Sequence, residues 1–187
     1  MPILLLLLLL LAACPDESGR QCPPNTSLVG EYTLNRAANH DGGNECIATL
    51  DAGGTQPLAM DDAGVLGSTF CVGAAADGGP QLQLLVSGKG GARKSDLLPD
   101  GGFHFVSDTV TAQGTACVCD VTDYETFDGY LLSGSGPFAL RPDGGLPAIT
   151  GIAATLIDHL TLADGGAGTQ CHCALPCSLS YSIAGAP

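Results

Sequence analysis

The stretch ITGIAATLIDHLTL, Ile149–Leu162, fits two periodicities, and the choice between them decides the fold class. Ile149, Ile152, Ala153, Leu156, Ile157 and Leu160 recur at helical spacing. Against a helix stand Gly151, which loosens the backbone, and Thr150, Thr155 and Thr161, whose branched side chains suit a pleated strand. An Asp-Gly-Gly turn signal follows at Asp164. We read the segment as a strand, which leaves no helix of any length to expect in the chain.

The surrounding sequence agrees. CSLSYSIAG, Cys177–Gly185, sets Cys177, Leu179, Tyr181 and Ile183 on one face and Ser178, Ser180 and Ser182 on the other, as a half-buried strand requires. LVGEYTLN, ECIATL, QLQLLV, FHFV, ACVCDV and YLLSG are further strand candidates. DGG recurs at Asp41, Asp77, Asp100, Asp143 and Asp164, with DAGG at Asp51, and supplies the positive φ angles of tight hairpins. Apolar runs flank such turns in TFCVGAAADGGPQLQLLVSG, LLPDGGFHFVS and FALRPDGGLPAIT. The intervals are uneven, so the motif marks turns rather than a solenoid repeat. The expected fold is all-β, an antiparallel sandwich or barrel of short strands with DGG hairpin turns, stapled by disulfides.

Staples are expected because of the opposite end of the chain. An apolar run from Ile3 to Ala13 has the length of a signal-peptide core and is too short to span a bilayer. It ends in LAAC, Leu11–Cys14, which resembles the lipobox of bacterial lipoproteins. The resemblance implies cleavage before Cys14, lipidation of its sulfur (thioether-linked diacylglycerol with palmitate-type chains), and attachment to the cell envelope, with the outer membrane expected. The Ala, Gly, Asp and Leu bias with few lysines is also similar in texture to uncharacterised lipoproteins of GC-rich Gram-negative bacteria such as myxobacteria. Residues 1–13 would be the signal, 14–27 a polar, proline-bearing lipidated tether, and 28–187 a single β-rich domain.

Setting Cys14 aside leaves an even set: Cys22, Cys46, Cys71, Cys117, Cys119, Cys171, Cys173 and Cys177. In an oxidising compartment such a set reads as a disulfide framework whose pairing the spacing alone does not give. C-x-x-C is absent, and two cysteines in C-x-C on a strand point the same way, so each pair should reach other segments. At least one bridge from CVC to CHCALPC is expected. A sharper reading makes His172 and its neighbouring thiolates a zinc or copper site. Export oxidises such thiolates, the methionines are only Met1 and Met60, and His40, His104, His159 and His172 are scattered, so no metal is expected and His172 should tolerate alanine.

Composition narrows function. A net charge of −13 repels nucleic acid, and nine aromatic residues without tryptophan offer little stacking surface. No G-x-S-x-G or H-E-x-x-H motif is present. GKGGARKS, Gly88–Ser95, has Arg93 where a phosphate loop needs glycine and reads as a solvated loop gathering Lys89, Arg93 and Lys94. DVTDYETFDG places Asp120, Asp123, Glu125 and Asp128 close together, in a spacing one residue away from the calcium-loop pattern, and reads as a solvated turn. Neither a catalytic residue nor a cofactor is expected. The leading reading is a lipid-anchored, non-catalytic envelope or cell-surface domain whose partners are the membrane, through Cys14, and an unidentified protein or small molecule. A small-molecule or metal-binding lipoprotein and an envelope hydrolase with an unrecognised site are the alternatives.

Overall fold

The computed structural model describes residues 21–40, 44–50, 52–60, 64–88, 91–112, 117–134, 136–142, 144–163 and 171–187. The signal segment, Cys14, Lys89, Asp41, Asp51, Asp143 and Asp164 lie outside them. Every regular element among the described residues is a strand: β1 (Ser27–Ala38), β2 (Ile47–Thr49), β3 (Thr55–Pro57), β4 (Gly64–Ala74), β5 (Pro80–Val86), β6 (Arg93–Asp96), β7 (Gly102–Val106), β8 (Val110–Ala112), β9 (Val121–Ser133), β10 (Ile149–Leu162) and β11 (Cys177–Ala186). Ile149–Leu162 is thus the strand that its threonines and glycine favour, and the fold is all-β.

The main sheet runs β6-β5-β4-β1-β11-β10-β9-β7, antiparallel throughout, with β8 paired to β9 below β7. It curls until its two ends meet. β6 and β7 are consecutive in sequence, joined by a Leu98–Gly102 turn in which Leu98 N–H donates to Gly102 O over 2.9 Å and Gly101 takes φ 86°. Further along the seam, the Ser95 hydroxyl substitutes for a ladder bond by accepting the His104 N–H at 2.8 Å. The result is a nearly closed barrel. Near-closure shortens the exposed edges, which a chain this poor in charge needs.

Alternation fills the interior. Tyr32, Phe70, Phe103, Phe105 and Phe127 are buried and face one another, with centroids 5.2 Å apart for Phe103 and Phe105 and 5.7 Å for Tyr32 and Phe70. Leu34, Leu82, Leu84, Leu131, Ile152, Leu156 and Ile183 complete the packing. Burying aromatic and branched side chains stabilises by about 1.5–3 kcal/mol each relative to exposure.

Three sequence expectations are corrected. CVC is not a strand: Cys117–Cys119 is a turn with Val118 at φ 57°, and β9 starts only at Val121. The acidic stretch is not a solvated turn, because Asp123, Glu125 and Asp128 all lie within β9. FALRPDGGLPAIT does not form a two-stranded ladder; Arg141 and Gly145 are joined by a turn bond, and β10 begins at Ile149. Pro137, Pro142 and Pro147 explain the last, since each removes a ladder donor. The DGG hairpin at Asp77 does form, with Ala75 N–H donating to Gly79 O and Gly78 at φ 89°.

Candidate functional site

One end of the barrel carries a disulfide-bonded cap. Cys117 is bonded to Cys173 and Cys119 to Cys171, so the CVC turn and CHCALPC run antiparallel and are stapled twice. Cys46 is bonded to Cys177 at the start of β11. Each C-x-C pair thus bonds to the other pair rather than closing on itself. Between these bridges, His172 N–H donates to Cys117 O at 2.8 Å and His172 O accepts from Thr49, while Ala174 N–H donates to Ile47 O. The His172 backbone thereby ties the CVC turn to β2. Cys22 is bonded to Cys71 on β4 and pins the last part of the tether against the barrel wall. Four disulfides require an oxidising, exported environment to form and persist. Among the described residues no group of three or more His, Cys, Asp or Glu is arranged to hold a metal ion.

Beneath the cap, charged residues occupy inward positions. Asp123 and Glu125 alternate with buried Val121 and Phe127 on β9; Asp158 lies between Leu156 and Leu160 on β10; Arg36 follows Tyr32 and Leu34 on β1. Arg36 Nε, Asp123 Oδ1 and Asp158 Oδ1 are shut off from solvent. Glu125 sits directly opposite Asp158 in the β9–β10 ladder, a like-charge pair that needs cations nearby. Arg93, inward on β6, pairs with Glu125, both side chains being 17 % exposed, and the Arg36 guanidinium lies 4.6 Å from the Tyr181 ring centre. Burial of so many charges is retained only where they are paired.

This polar belt opens sideways. β7 ends at Val106 and the shorter β8 takes its place beside β9, so the seam widens below Ser95 into a cleft of about 720 Å³. Its walls include Arg93 and Lys94 on one side, Ser107, Asp108 and Val110 on the other, with Asp123 and Glu125 at the base. Behind the Arg93–Glu125 pair is an apolar pocket of about 30 Å³ lined by Leu34, Leu84, Phe127, Leu156 and Ile183, room for no more than a methyl group or one water.

Of the residues that the sequence singles out, the structure brings Arg93, Lys94, Asp123 and Glu125 to this cleft, and the segment read as a solvated loop turns out to contain strand β6. Asp128 instead lies on the outer face, its carboxylate 2.5 Å from His104 Nδ1, and Asp120 is exposed. Asp108 and the inward Asp158 and Arg36 carry no local motif. A period-two reading of Val121-x-Asp123-x-Glu125-x-Phe127 would have put both acids on the core face. No family model matches the chain, nor does any curated protein or solved structure.

Proposed function

We propose that this is a lipid-anchored, non-catalytic binding or structural domain of the cell envelope, held by Cys14 on the outer membrane. The observation that supports it best is the filled interior. Four of the five phenylalanines pack inside the barrel, and the capped end is closed by three of the four disulfides, so the fold offers shape and durability rather than an enclosed reaction chamber. The LAAC motif supports the anchor, since a diacyl group on Cys14 supplies stable membrane attachment where a short cleaved apolar segment does not.

Detergent phase partitioning of the full chain expressed with its signal tests the anchor. Wild type enters the detergent phase and Cys14→Ser stays in the aqueous phase; equal partitioning of the two refutes the reading.

A further inference from the structure

We infer that the lateral cleft between β6 and β8 binds a small zwitterion, a free α-amino acid or short peptide carrying both an ammonium and a carboxylate group. This deepens the binding reading above and rests on it, though not on the anchor.

The walls have opposite sign. β6 contributes Arg93 and Lys94, while the β7–β8 connection and β9 contribute Asp108, Asp123 and Glu125. A simple anion entering the cleft meets three carboxylates, and a simple cation meets two basic groups. A zwitterion satisfies both walls at once, its carboxylate on the Arg93–Lys94 side and its ammonium on the Asp108 side. Being neutral overall, it is also not repelled by the net charge of −13. The cleft volume of about 720 Å³ lies in the usual range for small-molecule sites. At its rim Val106 and Val110 are 48 % and 61 % exposed, an apolar surface suited to a ligand side chain.

The Arg93–Glu125 pair gives the site its rigidity. It fixes the inner edge of both walls, so ligand binding does not have to order them first. Lys94 and Asp108 are exposed at the outer edge and can be exchanged without disturbing the core.

Calorimetric titration of the full oxidised chain in detergent with a panel of free amino acids and glycyl dipeptides tests the inference. At least one should bind, with N-acetylation or C-amidation of that ligand weakening binding at least tenfold. Lys94→Glu and Asp108→Lys should each weaken it to a similar extent, and the double exchange should restore part of the loss by reversing the ligand. No binding at millimolar concentration across the panel, or equal binding of the blocked ligands, overturns the inference while leaving the anchor intact. Mass spectrometry of the recovered ligand separates the two readings: an unchanged ligand supports both, whereas a converted one refutes the non-catalytic reading and leaves the site standing.

Discussion

Arg93 on β6 and Glu125 on β9 form an ion pair although their strands share no ladder. The pair spans the seam where β7 has ended, and closes by charge what the backbone leaves open. Glu125 also faces Asp158 across the β9–β10 ladder, so Arg93 neutralises one member of a like-charge pair.

Removing one partner should therefore be costly. Glu125→Ala leaves a largely buried guanidinium, and breaking buried pairs costs about 3–5 kcal/mol; with 17 % exposure of each side chain, solvent screening brings the figure below that range, to about 2–3 kcal/mol. The double variant Arg93→Leu with Glu125→Leu should recover most of the loss, since an apolar pair needs no compensation. Urea denaturation with disulfides intact measures both, and a double variant less stable than Glu125→Ala would contradict this account.

Gly129 is required for packing rather than for a turn. A Cβ there would lie 2.4 Å from the Ala154 Cβ, 2.6 Å from the Ala153 carbonyl oxygen and 2.7 Å from the Phe103 ring. Since the Ala153 oxygen belongs to the backbone of β10, the ladder itself must shift. Gly129→Ala should lose about 1–3 kcal/mol, typical of overpacking, and Ala154→Gly in the same chain should rescue only part of it. Thermal unfolding of the two variants decides the point.

These two sites divide what the sequence makes legible from what it does not. Strand identity follows from local chemistry: threonine and glycine in Ile149–Leu162, serine alternation after Cys177, and Asp-Gly-Gly at Asp77 each act through their own backbone. The cleft depends on where β7 stops and β8 starts, a consequence of long-range pairing with β9 that Val106 and Val110 do not encode locally. Glu125 and Arg93 are 32 positions apart and meet only because the sheet curls shut. The strand reading of CVC fails for a similar reason. Its local propensity favours a strand, but two tertiary bridges to Cys171 and Cys173 hold it in a turn.

Val118 bears the cost of that turn. It is a β-branched residue in the left-handed region at φ 57°, where Cβ crowds the backbone, and at 61 % exposure it regains little by burial. Val118→Asn should stabilise the oxidised protein by about 1 kcal/mol, because asparagine tolerates this conformation at ~1–2 kcal/mol less strain while losing some apolar contact. That corresponds to a rise in Tm of about 2–4 °C for a domain of this size. A lower melting temperature would mean that the Val118 side chain contributes a contact worth more than the strain.

The twin bridges of the cap should act non-additively. Cys117–Cys173 and Cys119–Cys171 close nearly the same stretch of chain, with sequence separations of 56 and 52. Closing a loop of that length restricts the unfolded chain by about 4 kcal/mol, but only the first bridge to form does so. Once it is in place, the second closes a ring of about six residues and adds about 2 kcal/mol on the same entropic scale. Replacing either pair with serine should therefore cost about 2 kcal/mol, while replacing both should cost about 6 kcal/mol, well above the sum of the two single losses. The excess arises in the unfolded state, so it should persist when the folded barrel is unaltered by circular dichroism. Strict additivity in a denaturation cycle over the four proteins would show instead that each bridge stabilises the cap through its own folded-state contacts.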